Sequence, residues 1–118
     1  MKKWAYGFSA DILGAVIEVV SGKSYRDFLR DEFFMPLDML DTDFYVPEEK
    51  WNRFAKVYEY FEEEPKLRPY KGYNLAIMRQ NKLPGFHSGG AGLVSTYEDY
   101  LTFDSMIIND GIIIISKS

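Results

Sequence analysis

No cysteine occurs in the 118 residues, which removes disulfides, thiolate metal sites and thiol nucleophiles at once. Histidine occurs once, at His87, so a histidine metal cluster is excluded too, and no metal or other cofactor is expected. Basic runs are absent beyond Lys2-Lys3, and the net charge of −4 with a pI near 5.0 argues against nucleic-acid and anionic-membrane partners. No apolar run approaches the length of about 18 residues that a membrane span needs. Ser9 and Asp11 interrupt the N-terminal stretch, which does not read as a signal peptide. Taken as a full-length product, the chain is expected in the cytoplasm. What is present is an ordinary globular share of hydrophobic residues, 47%, so a disordered chain is not indicated. Aromatics reach 17%, with nine Tyr and nine Phe, which suits a bulky core or an aromatic surface that something else covers. The length fits one domain or part of one.

The apolar spacing of Ile12, Leu13, Val16, Ile17, Val19 and Val20 predicts a helix with a broad apolar face. Ser9 is its expected N-cap, Asp11 lies in the first turn where the helix dipole favours a carboxylate, and Gly22 ends it. Ser24 opens a second helix, with Asp27 as a capping-box variant. Tyr25, Phe28 and Leu29 line one side, Phe33 extends it, and Pro36 stops the run. Residues 9–35 therefore read as a helical hairpin. Residues 36–94 read as loop-rich, with a short extended piece at Phe44-Tyr45-Val46 and a helical turn after Pro47. Residues 55–61 fit strand or loop equally. Glu62-Glu63-Glu64-Pro65 is a solvated charged turn, and 66–86 is a long loop that could hold a hairpin. Ser95 or Thr96 caps a helix within 95–110, Glu98 pairs with Ser95 as a capping box, and Tyr97, Tyr100, Leu101 and Ile108 share one face. The uncharged tail within 111–118, Ile112-Ile113-Ile114-Ile115, looks like a strand without its sheet.

Two phrases carry the functional signal. One is Tyr6-Gly7-Phe8-Ser9-Ala10-Asp11-Ile12-Leu13-Gly14, and the other runs from Ser88-Gly89-Gly90-Ala91-Gly92 to Leu93-Val94-Ser95-Thr96. Between them lie Ile17-Glu18, Ser21-Gly22-Lys23, Phe34-Met35-Pro36-Leu37-Asp38-Met39 and Asp41-Thr42-Asp43-Phe44. In this order the motifs resemble the serine hydrolases of the β-lactamase and penicillin-binding-protein type, in the branch related to class C β-lactamases and esterases. The resemblance covers Trp4 to about Ser116. It implies a mainly α, α+β fragment: the helical subdomain of a β-lactamase-like fold, with short strands and long loops and the main sheet missing.

The resemblance also implies roles. Tyr6 matches the family tyrosine that exchanges a proton with the nucleophilic serine, helped by a lysine. A phenol of pKa about 10 becomes a useful base near neutrality only where nearby cations stabilise its anion. Phe8 stands where many members have Asn, which favours an ester over a β-lactam substrate. Gly89 and Gly90 fall at the substrate rim. The glycines could also suggest a phosphate cradle, but no Gly-Lys-Ser/Thr follows. His87-Ser88-Gly89 matches the family's third motif locally, yet its glycine-rich context fits the loop that precedes a helix.

The nucleophile is the gap. A Ser-x-x-Lys tetrad sets serine and lysine one helical turn apart. Ser9, Ser21, Ser24, Ser88, Ser95 and Ser105 lead instead to Ile12, Ser24, Asp27, Ala91, Glu98 and Ile108. The expectation is a truncated acyl-transfer hydrolase for esters, amides or lactams, inactive alone. A non-catalytic helical module is the alternative. Either would self-associate as a homo-oligomer or bind the missing remainder of the hydrolase.

Overall fold

The computed structural model describes residue 3, residues 5–70 and residues 84–112. The strand expected within the tail falls almost wholly outside these residues. Helix α1 runs Ser9–Ser21 and helix α2 runs Tyr25–Leu29, continued by a π-helical turn, Arg30–Phe34. A 3-10 helix follows at Glu48–Arg53, then strands β1 (Tyr58–Phe61) and β2 (Lys66–Pro69), and finally helix α3 (Tyr97–Ile108).

The helical hairpin forms as its punctuation predicts. Gly22 closes α1 in the left-handed region at φ 69°, which a side chain would strain, and its N–H reaches the Glu18 carbonyl at 2.9 Å. The α1 start differs by one residue: Phe8 is the cap position, without a side-chain bond, and Ser9 is already helical. At α2 the Ser24 hydroxyl accepts the Asp27 N–H at 3.1 Å and donates to the Asp27 carboxylate at 2.7 Å. The Glu18 carboxylate accepts the Tyr25 N–H at 2.8 Å, so the last turn of α1 supplies a charged acceptor to the first turn of α2. Gly14 is buried in α1 because the Tyr25 ring lies across it.

The core is small and sits below the hairpin. Phe34, Leu37, Met39, Phe44 and Val46 are buried. Leu29 and Phe33 from the first hairpin and Phe103 and Met106 from α3 close over Phe34, Leu37 and Met39. Phe33 and Phe103 meet edge-on at 6.4 Å between centroids. The α3 face that packs is thus Phe103 and Met106, while Tyr97, Tyr100, Leu101 and Ile108 face outward.

The ambiguous stretch resolves as an antiparallel β1–β2 hairpin, Tyr58 opposite Pro69 and Phe61 opposite Lys66, with the acidic run as its turn. Arg68 stacks over the Phe61 ring and pairs with Glu64 across that turn. A two-stranded sheet of this size is not a core, and both strands are largely exposed.

Candidate functional site

The two sequence phrases meet in space. The loop 84–93 forms no strand; only Val94 is bridged, antiparallel to Asp43. The loop is docked on the first turn of α1. The Ser88 hydroxyl accepts the N–H groups of Gly90 and Ala91, each at 3.1 Å, and donates to the Asp11 carboxylate. Gly89 lies so close to α1 that a Cβ there would come within 2.1 Å of the Ala10 carbonyl oxygen. Gly90 is looser, its nearest neighbours being at 3.8 Å. Three residues before this docked turn of α1 lies Tyr6, 89% exposed.

This geometry limits what the glycines can do. The Gly90 and Ala91 N–H groups are turned inward to Ser88, so this pair does not present the outward donors that an anion cradle or oxyanion hole requires. Gly89 alone of the pair makes the close approach to α1. His87, next in line, packs its ring 5.0 Å from Phe44, which in turn lies 6.1 Å from Tyr25. The His87 Nε2 is buried without a hydrogen-bond partner among the described residues. Burial raises the Tyr25 phenol above its ordinary range, in keeping with its place between α1 and Phe44.

What fixes the loop lies in the Asp41-Thr42-Asp43-Phe44 motif, whose bonding partners the sequence does not reveal. The Asp43 backbone exchanges two hydrogen bonds with Val94, 3.0 and 2.8 Å. Its carboxylate receives a bidentate fork from Arg26, both bonds 2.6 Å, with side-chain exposures of only 20% and 28%. Arg26 also covers the Tyr45 ring. Beside it the buried Thr42 hydroxyl donates to the Asp99 carboxylate at 2.8 Å and pairs with Ser95 at 2.8 Å; the same carboxylate oxygen accepts the Asp41 N–H at 2.9 Å. Thr96 is the α3 cap, accepting the Asp99 N–H at 3.2 Å. The expected Ser95–Glu98 box is not made: Ser95 is turned to Thr42, and Asp99 takes the place given to Glu98.

A cleft of about 220 Å³ opens between this junction and the 3-10 helix. Asp41, Lys50 and Arg53 stand on its wall, with Tyr45, Phe54 and Ser95. Lys50 and Arg53 both pair with Asp41, and their hydrogen bonds hold its carboxyl below the ordinary Asp range. Tyr6, Gly89 and Gly90 do not line it. Among the described residues no group of three or more His, Asp or Glu side chains could hold a metal, and no helix is long and apolar enough to cross a membrane.

An αα-hairpin here has its leading turn clasped by a glycine loop, and that loop runs on to cap a third helix. Over 94% of this chain the fold superimposes on a LovD6 mutant of simvastatin synthase from Aspergillus terreus, with a TM-score of 0.74 at 22% identity and 27% of that chain covered. The hydrolase EstCE1, which has promiscuous acyltransferase activity, matches with a TM-score of 0.69 at 24% identity, covering 91% of this chain and 30% of its own. The octameric penicillin-binding-protein homologue of Pyrococcus abyssi matches at 0.66 and 25% identity, covering 98% of this chain and 24% of its own. By sequence the chain is 29% identical over 106 residues to protein Rv1367c of Mycobacterium tuberculosis, 90% of this chain and 25% of that protein. The Beta-lactamase family model matches residues 2–114. The chain belongs to the β-lactamase family, as the serine-hydrolase resemblance implies, and it spans about a quarter of the length of the curated relatives it matches.

Proposed function

We propose that this chain is the helical part of a serine acyl hydrolase that works on esters, amides or lactams, and that it lacks activity without the rest of the enzyme. The observation that carries the reading is the docking of the glycine loop on the first turn of α1: Gly89 against the Ala10 carbonyl, Ser88 on Asp11. That contact builds one wall beside the entry to α1, where Tyr6 stands. In the assembled enzyme Tyr6 is the general base, Gly89 and Gly90 border the substrate, and Phe8 turns the site toward esters. The main sheet and the Ser-x-x-Lys nucleophile come from outside residues 1–118. Within them, residues 9–35 are the hairpin, 36–94 the loop-rich connection and 95–110 the third helix.

Chemistry supports inactivity of the chain alone. In the proposed chemistry the tyrosine relays a proton while a lysine-activated serine carries the acyl group, and no serine of residues 1–118 has a lysine three residues on. Ser88, the serine nearest the wall, donates its proton to a carboxylate and accepts two backbone bonds. Purified chain should therefore hydrolyse p-nitrophenyl acetate and nitrocefin no faster than buffer, and a fluorophosphonate probe should label none of its serines. Turnover well above buffer with one labelled serine would sink the proposal. The exposed apolar side of α1 favours one second reading, a non-catalytic module that self-associates, for which inactivity is equally expected and oligomeric state is the discriminator.

A further inference from the structure

The cleft beside the 3-10 helix gathers groups that the acyl-transfer reading does not use. Its charged wall holds two cations and one anion. Asp41 lies between Lys50 and Arg53, and its carboxyl, held below the ordinary range by their hydrogen bonds, stays ionised. The trio therefore keeps one net positive charge. Lys50 is largely committed, since it also donates to the Leu40 carbonyl at 3.2 Å. Arg53 is not. Its side chain is 56% exposed, and only Nη1 reaches Asp41, at 2.8 Å. The Nε–Nη2 edge of Arg53 makes no bond among the described residues. Arg26 uses that same edge to fork the Asp43 carboxylate with two bonds of 2.6 Å. Two parallel donors of this kind match the two oxygens of a carboxylate. A phosphate dianion matches the edge as well, but it brings a second negative charge to face Asp41 on a wall with one positive charge to spare.

The rest of the lining is apolar or aromatic. Val46 is buried, and Phe54 and Tyr45 stand beside it. The cleft thus offers a cationic fork at one end and an aromatic-lined body at the other. Its volume of about 220 Å³ lies below the range of about 300–1,000 Å³ that serves drug-sized ligands, so its occupant is small. Two separate stretches of chain wall it, 40–55 and 94–96. We infer that this cleft is a binding site for a small arylalkyl carboxylate, whose carboxylate takes the Nε–Nη2 edge of Arg53 and whose ring lies against Phe54 and Val46. The site is separate from Tyr6, Gly89 and Gly90, none of which lines it. It does not depend on the hydrolase reading.

The test is calorimetric titration of 3-phenylpropionate into the full-length protein that carries residues 1–118, with the neutral 3-phenylpropanamide and inorganic phosphate in parallel. The carboxylate should bind at least about tenfold more tightly than either. Equal affinity for the amide removes the role of charge, equal affinity for phosphate removes the arylalkyl class, and no binding of the carboxylate up to about 10 mM removes the site; each overturns the inference. In NMR spectra the bound ring should transfer magnetisation to the Val46 methyl groups, and transfer only to other residues overturns the placement. Arg53→Gln, at an exposed position, should weaken binding at least about tenfold. Arg53→Lys keeps the charge without the planar edge and should weaken it too, so full affinity in that variant overturns the fork. Lys56→Gln removes an exposed cation outside the cleft and should leave affinity unchanged; a loss equal to that of Arg53→Gln would mean a general charge effect and overturn the site. Tyr6→Phe separates this inference from the functional reading. Binding lost in Tyr6→Phe would place the ligand at the proposed catalytic end and overturn the cleft, whereas a Tyr6 without any catalytic role leaves the cleft standing.

Discussion

The residues that hold the site together act through close approach and through buried polar bonds, and each type makes a different prediction. Gly89→Ala places a methyl where a backbone carbonyl already stands, at 2.1 Å, so the loop must lift off α1. Overpacking of this kind costs about 1–3 kcal/mol. Gly90→Ala, with 3.8 Å of clearance, should change stability by less than about 0.5 kcal/mol. Parallel urea titrations of the two variants check the contrast, and equal effects would mean that the loop does not sit on α1. Thr42→Val removes a buried hydroxyl that serves both Asp99 and Ser95. Its expected loss is about 1–3 kcal/mol, since the Asp99 carboxylate keeps the Asp41 N–H but forfeits one donor. The glycines were legible in the sequence because a dense glycine phrase before a capped helix has few physical meanings. The Thr42–Asp99 and Arg26–Asp43 bonds were not, because each joins residues 57 and 17 positions apart and neither partner is unusual where it stands.

At the scale of elements, local chemistry foretold most helices and little of how they face. Gly22, Ser24 and the turn after Pro47 appear where their backbone preferences put them. The β-hairpin was ambiguous because Tyr58-Glu59-Tyr60-Phe61 alternates only weakly, and the pairs Glu64 makes with Arg68 and Lys66 across the turn join side chains that no local pattern announces. In α3 the capping assignment turns on which acid the third position holds relative to the cap. Thr96→Ala should lose about 1 kcal/mol of helix stability, the usual worth of a side-chain cap. Glu98→Ala should change almost nothing, because Glu98 makes no capping bond. Chemical denaturation of both variants decides it; a larger loss for Glu98→Ala would restore the Ser95–Glu98 box. The α1 stripe teaches the opposite lesson from the caps. Periodicity announced an apolar face, but only tertiary placement showed that the face points away from the chain's own core.

For the molecule as a whole, a small core is tied together by acid–base pairs, and that sets its response to pH. Asp41 is held below the ordinary Asp range by hydrogen bonds from Lys50 and Arg53, Asp31 by those from Lys23 and Arg30, and Asp27 by the Ser24 hydroxyl. A carboxyl whose folded pKa is depressed stabilises the fold above its unfolded value, about pH 4, and loses that contribution as pH falls through the folded value. Lys23, raised by its bond to Asp31, works at the other end: its contribution is complete below the unfolded lysine value of about 10.4 and fades only as pH rises through the folded one. The expected profile of melting temperature is therefore flat from about pH 5 to 9 and falls below about pH 4. These groups are exposed or half-buried at the surface, so each acts weakly and salt should flatten the acid limb. Asp41→Asn isolates the pair that joins the 3-10 helix to the junction beneath the loop: it should lower the plateau slightly and reduce the slope of the acid limb. An acid limb of unchanged slope in that variant would show that Lys50 and Arg53 do not hold the Asp41 carboxylate in solution, and would leave the 3-10 helix anchored by the Lys50 bond to the Leu40 carbonyl at 3.2 Å, the Trp51 bond to the Val46 carbonyl at 2.9 Å and packing.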